Sequence, residues 1–216
     1  QQLAQALGAN YAVMPISESY ELTVKQLEET PITHLADGSS FNLQLSGLIK
    51  ENIQARDRGA RVIAAASAAF GGAFSCNSNK AELAIGYATF YGDICGAMAM
   101  IGDLWKHQVY ALGRYLNEVI YKREVIPEAI FNIRPSAELS DAQTVGNGGD
   151  PLVYAYHDYL LRAFIENWHK TTPADILRWY KADTLAAELG CTQEAINEAC
   201  PDAVALIADL ERWWKL

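Results

Sequence analysis

The sequence lacks any apolar run near the ~18 residues that a membrane-spanning helix needs. Its four cysteines, Cys76, Cys95, Cys191 and Cys200, form no CxxC pair, and no His sits at zinc-finger spacing. The phosphate-binding GxxxxGK[ST] and GxGxxG patterns are missing, as is the nucleophile-bearing GxSxG. These absences remove kinase, dehydrogenase and hydrolase readings of the familiar kinds. Positive charge is also scarce: 17 Lys and Arg against 26 Asp and Glu give a net charge of −9 over 216 residues. An acidic surface repels phosphate backbones, so no nucleic-acid partner is expected, although a small basic pocket for one nucleotide is compatible with it. Half the residues are apolar and a fifth are charged, which is globular composition. Charged-then-apolar leader patterning is not seen, and unpaired thiols fit a reducing cytosol, so a cytoplasmic setting without a membrane is expected.

The first residue is Gln1, and QQLAQALGANYAV reads as the end of a helix, stopped by Gly8, followed by a short strand over 9–16. A domain seldom begins half-way through such a unit, so the chain reads as a fragment. Helical patterning runs from Tyr20 to Glu28 and turns loop-like through TPITHLADGSS. It returns from about Asn42 to Ala69, where Leu45, Leu48, Ile49, Ile53, Val62 and Ile63 recur near helical spacing and Gly71–Gly72 end the run. AFSC (73–76) and AMAMI (97–101) are buried-strand candidates. Between them, Asn77 or Ser78 can cap a helix with Glu82 in its first turns. A further helix spans Leu104 to about Asn117. This strand–crossover–strand order predicts an α/β fold with a parallel sheet. PSAELSDAQTVGNGGDP (135–151) reads as a mobile loop, and helices are expected over 152–169, 173–189, 192–199 and 202–214.

Several residues carry two readings. A strand ending in a polar loop and a helix N-terminus is where α/β folds bind anions, and Glu82 beside it suits a magnesium ion between carboxylate and phosphates. It equally suits stabilisation of the helix dipole. GYATFYGD (86–93) has glycines for close backbone approach, aromatics for a planar ring and Asp93 to orient an amine, or it is a tight aromatic loop. Lys106 at a helix start is a point charge for a phosphate oxygen or a solvated lysine. Ser136 binds phosphate or caps a helix. Arg56, with Arg58 and Arg61, makes a phosphate-binding stripe or a solvated face. His34, His107, His157 and His169 share no motif, and none is assigned to catalysis.

Taken in order, ENIQARDRG, CNSNKAELAIGYATFYGD, GDLWKHQVYALGRYLN, VIPEAIFNIRPSAEL and GDPLVYAYHDYLLRAF resemble the synthetase domain of NAD+ synthetase, in its glutamine-dependent form. The likeness runs from about residue 51 to 165. It implies a Rossmann-like, adenine-nucleotide alpha-hydrolase-like parallel sheet, incomplete at its N-terminus, with 1–150 as the partial α/β part and 151–216 as a helical extension of the same domain. It implies a ligase of NAD biosynthesis: ATP adenylates deamido-NAD+, and ammonia, drawn from glutamine by an upstream amidase domain, displaces AMP. By the resemblance Glu82 binds Mg2+, and Asn77, Lys106 and Ser136 contact ATP. Asn52, Arg56 and Asp93 line the deamido-NAD+ pocket, with Asp93 and Lys106 closest to the chemistry. That pocket lies at a homodimer interface, which places the 42–69 helix at or near it. Asn77 stands where many members carry Thr. The family's SGGxDS loop is absent from the sequence, and DGSS (37–40) and the Gly-Gly pairs at 71–72 and 148–149 do not match it. The isolated chain is therefore expected to have little or no synthetase activity. The alternative is a non-catalytic nucleotide-binding or dimerisation module that has lost the ATP loop.

Overall fold

The computed structural model describes residues 1–140 and 149–215. The chain forms two compact units, one of residues 1–78, 88–102 and 124–149, the other of 79–87, 103–123 and 150–216.

The first unit opens with α1 (Gln2–Leu7), closed by Gly8 in the left-handed region at φ 64°. Residues 9–16 are not a strand. A strand exists only where a neighbour takes up its backbone hydrogen bonds; here Tyr11, Val13 and Met14 lie exposed, Val13 by 72%. Helix α2 (Ser17–Glu29) follows. The segment expected to be loop then makes a small antiparallel ladder, β1 (Ile32–Thr33) with β2 (Ser40–Phe41), in which Ile32 faces Phe41. Asp37 shapes its turn by accepting from the Ser39 N–H at 2.9 Å.

The long helix begins at Gly47 instead of Asn42, because Ser46 caps it by accepting from the Ile49 N–H. It runs as α3 (Gly47–Arg56), passes through a π-helical stretch at Asp57–Ile63 and ends as α4 (Ala64–Ala69). Asp57 and Arg61 pair within the π-helical stretch, and Ser19 of α2 donates to Asp57 at 2.6 Å, so α2 is tied to this helix. Lys50 and Glu28 pair at 3.0 Å between the same elements.

β3 (Ser75–Cys76) and β4 (Met98–Ala99) pair in parallel, Ser75 opposite Met98 and Cys76 opposite Ala99. Both strand candidates thus stand, although the ladder is only two residues long. Gly96, at φ 136°, passes so close to β3 that a Cβ would press on the Cys76 nitrogen. Among the described residues of this unit the buried apolar set is small, with Ala55, Cys76 and Val125 its members. The short helix α7 (Glu128–Asn132) completes the unit. Residues 141–148 of the expected mobile loop lie outside the described residues.

The second unit is helical and has the larger core. α5 (Lys80–Ile85) is capped by Asn79, not by Asn77 or Ser78: Asn79 is the residue extended immediately before the first turn, and its Oδ1 accepts from the Glu82 N–H. α6 (Lys106–Tyr115) ends in a π-helical segment at Leu116–Tyr121. α8 (Tyr154–Ile165) is buried along most of its length, through Tyr154, Tyr156, His157, Asp158, Leu160, Leu161, Ala163 and Phe164. Around it pack α9 (Pro173–Lys181), α10 (Leu185–Leu189), α11 (Gln193–Ala199) and α12 (Ala203–Trp214). The stretch 173–189 is two helices rather than one, because Asp183 enters the left-handed region at φ 57° and turns the chain. Pro173 at the first helical position, with the reciprocal Thr172–Asp175 cap, starts α9 as its sequence predicts. All four cysteines are free thiols. Among the described residues no helix is long and apolar enough to cross a membrane.

Candidate functional site

The first unit gathers three of the expected residues. Asn52 and Arg56 lie one turn apart on α3, and the loop 88–94 folds onto them. The buried Thr89 is the centre of this arrangement. Its hydroxyl donates to Asn52 Oδ1 at 2.7 Å, and its N–H donates to Asp93 Oδ1 at 2.9 Å. Arg56 Nε donates to the Phe90 carbonyl at 3.2 Å. Asp93 and Arg56 therefore brace the loop while Arg56 stays exposed. The loop reaches α3 because both surfaces are bare backbone. A Cβ on Gly59 would overlap the Gly92 carbonyl, and one on Gly92 would press on Ala55 and Thr89 at 3.0 Å. Thr89, Gly59 and Gly92 were not singled out individually from the sequence. The glycine spacing of GYATFYGD was the available signal, and Gly59 had none within its own helix.

Asn77 and Ser136 belong to the same unit but stand outside that group. Asn77 Oδ1 accepts from the Ser75 hydroxyl at 2.9 Å, and the Ser136 hydroxyl donates to Glu138 at 2.7 Å. The link to the loop comes through Cys76, whose thiol contacts the Asp93 carbonyl oxygen at 3.4 Å. Asn77 thus follows directly on the strand end that touches the Asp93 backbone.

The second unit brings together Glu82 and Lys106. The Lys106 ammonium lies 3.7 Å from Glu82 Oε1, and each side chain is 20% exposed. The same ammonium stands over the Tyr154 ring at 5.1 Å and the Tyr110 ring at 6.0 Å. Tyr154 donates its hydroxyl to Asp150 at 2.8 Å. Burial, then the Asp150 and Glu82 charges, hold that phenol far above its ordinary range, so it remains a donor. Glu82 also fills the capping box, taking the Asn79 amide at 2.7 Å and the Asn79 N–H at 3.2 Å. The helix-start reading of Glu82 is therefore visible, and the same carboxylate lies beside the Lys106 ammonium. Tyr154 and Tyr110 were missed by sequence reasoning, since an aromatic on a helix reads as core.

Among the described residues no group of three His, Cys, Asp or Glu could hold a metal ion unaided. Glu82 does supply one hard oxygen donor. That suffices for magnesium, which commonly takes one or two carboxylates and completes its shell with phosphate oxygens and water.

A parallel strand pair among helices makes this an α/β protein, and its structural neighbours share the adenine-nucleotide alpha-hydrolase-like fold. The glutamine-dependent NAD+ synthetase of Acinetobacter baumannii, solved with adenosine diphosphate, superposes at TM-score 0.50 and 26% identity over 87% of this chain and 30% of that one. NMN synthetase from Francisella tularensis shares the fold at TM-score 0.56 and 22% identity, over 83% of this chain and 65% of that one. The NAD synthase family model matches residues 1–193, and the chain belongs to that family. Glutamine-dependent NAD(+) synthetase of Thermotoga maritima is 37% identical over 166 residues, covering 77% of this chain and 26% of that protein. Its counterpart from Xanthomonas campestris pv. campestris is 38% identical over 181 residues, covering 84% and 30%. The chain thus spans under a third of the length of these curated relatives.

Proposed function

We propose that this chain is part of a glutamine-dependent NAD+ synthetase, the portion that carries one side of the ATP site and one side of the deamido-NAD+ site. The parent enzyme is a ligase that forms a C–N bond. The nicotinate carboxylate attacks the α-phosphorus of ATP, releasing pyrophosphate; ammonia then displaces AMP from the mixed anhydride. A bare carboxylate is a poor electrophile because oxide would have to leave, whereas AMP leaves readily. Bound magnesium offsets the phosphate charge.

Within this reading Lys106 holds an ATP phosphate oxygen, Glu82 is the protein's carboxylate for the metal, and Asn77 and Ser136 are further ATP contacts. Arg56 and Asn52 bind deamido-NAD+. Asp93 lies beside the reacting carboxyl and orients the incoming amine. A second copy of the chain, docking near the 47–69 helix, completes the deamido-NAD+ pocket. Ammonia is supplied from glutamine by an amidase domain of the parent, in the cytoplasm. Since SGGxDS is absent from the sequence, the chain by itself is expected to bind without turning over.

The observation that carries this reading is the Lys106–Glu82 pair at 3.7 Å, a cation and a carboxylate where a magnesium triphosphate needs both. Glu82→Gln is the clean test. Gln keeps the backbone half of the capping box, since either residue serves at that position, gives up the contact with the Asn79 amide, and removes the charge. Calorimetric titration should show Mg-pyrophosphate affinity falling about tenfold, the equivalent of ~1.4 kcal/mol. Unchanged affinity would remove Glu82 from the metal role.

A further inference from the structure

We infer that Asp158 is the positioning residue for Lys106, fixing the start of α6 from below so that the lysine ammonium is held in place before any anion arrives. The inference rests on the reading of Lys106 as a phosphate-binding group.

Helix α6 begins at Lys106, and the residue before it is Trp105, whose indole has no acceptor to cap the first-turn N–H groups. The His107 N–H finds its acceptor 51 residues away: it donates to Asp158 Oδ2, on α8, at 2.8 Å. The His107 ring reaches the same oxygen through Nδ1 at 2.9 Å and stacks on Tyr159 at 4.7 Å. Gln108 turns back to accept the Trp105 N–H at 2.9 Å, while the His107 N–H of the first turn is taken by a carboxylate from another helix. Asp158 is fully buried, and its second oxygen, Oδ1, is buried without a hydrogen-bond partner. Burying a carboxylate half-satisfied is costly, and an apolar or amide side chain would fill the space more cheaply. What the carboxylate provides is a charge-assisted anchor on the residue next to Lys106.

The same helix supplies the surface beneath the lysine. Tyr154 stands one turn before Asp158 on α8, and its ring faces the Lys106 ammonium at 5.1 Å. α8 therefore sets both the origin of the Lys106 side chain, through Asp158, and the end of its reach, through Tyr154. Preorganisation of this kind matters most for a flexible four-carbon side chain.

A second buried pair in the same unit provides the control. His157 Nε2 meets Asp209 Oδ1 at 3.1 Å, and Trp213 donates to that oxygen at 2.7 Å, with neither group on α6. The experiment is trace acetylation of the full chain with acetic anhydride, read by peptide mass spectrometry, with the exposed Lys25 and Lys170 as internal references. Asp158→Ala should raise Lys106 labelling about tenfold relative to both references, while Asp209→Ala changes it less than about twofold. An equal rise in both variants, or none in Asp158→Ala, overturns the inference, because loosening of the helical unit alone would then account for the result. If Asp158→Ala fails to fold, Asp158→Asn decides: it retains an acceptor but not the charge, and should raise Lys106 labelling about threefold, with no rise overturning the inference. Inorganic pyrophosphate separates the two claims. It should protect Lys106 in the unaltered chain. Absence of protection with the Asp158 contrast intact would remove the phosphate role of Lys106 and leave Asp158 as its positioning residue.

Discussion

Asn77 and Asn79 stand two positions apart and do different work. Both fit the sequence rule for a helix cap, and backbone direction decides between them. Asn79 is the extended residue before α5, and its amide and carbonyl both engage Glu82. Asn77 is exposed and bonded locally to Ser75. Asn79→Ala should lower unfolding free energy by about 1 kcal/mol through loss of the cap. Asn77→Ala should stay within about 0.5 kcal/mol. Urea denaturation of the two variants measures the difference. Asn52 and Arg56 are singled out by the resemblance of ENIQARDRG and Asp93 by GYATFYGD, and the structure brings these two separate blocks together. The hydrogen bonds joining them were not legible in the sequence, because they pass through Thr89, which has no distinctive spacing.

At the level of elements, the parallel pair β3–β4, the helices α8, α11 and α12 and the start of α9 follow from periodicity and from caps such as Thr172–Asp175, whereas the break at Asp183 between α9 and α10 does not. Two further features could not be read that way. The strand expected over 9–16 depended on a pairing partner, which local sequence does not encode. The close approach at Gly59, inside the π-helical stretch 57–63, is set by the Gly92 carbonyl, 33 positions on in the chain. Gly59→Ala should therefore destabilise the chain by about 1–3 kcal/mol, the usual cost of overpacking against rigid backbone. Gly47→Ala is the comparison: its Cβ would meet nothing within 4 Å and its φ is ordinary, so the change should be neutral or slightly stabilising. Thermal melts of the two variants test the pair.

For the whole molecule, pH acts through carboxylates shifted in opposite directions. Burial raises Asp158 above its ordinary value of 3.8, against the lowering effect of His107. A folded pKa above the unfolded one means the folded state binds the extra proton. The Asp158 contribution to stability is thus present below 3.8 and is lost as pH rises through the elevated folded value. Glu166 is the reverse: the Lys80 hydrogen bond lowers it, so its contribution holds at neutral pH and is lost as pH falls through its depressed value. Asp158→Asn should remove the first effect only. Its Tm should exceed that of the unaltered chain at pH 7, with the gap narrowing on acidification, as scanning calorimetry across pH would show.

On the proposed function, the Arg56 guanidinium, anchored to the Phe90 carbonyl and exposed beside Asn52 and Asp93, is one side of a deamido-NAD+ pocket. Isothermal titration of the chain with deamido-NAD+, repeated on Arg56→Ala, tests it most directly. Saturable binding that weakens at least about tenfold in the variant is expected, as loss of a charge-assisted contact requires. Binding of equal strength in both proteins, or in neither, would contradict it.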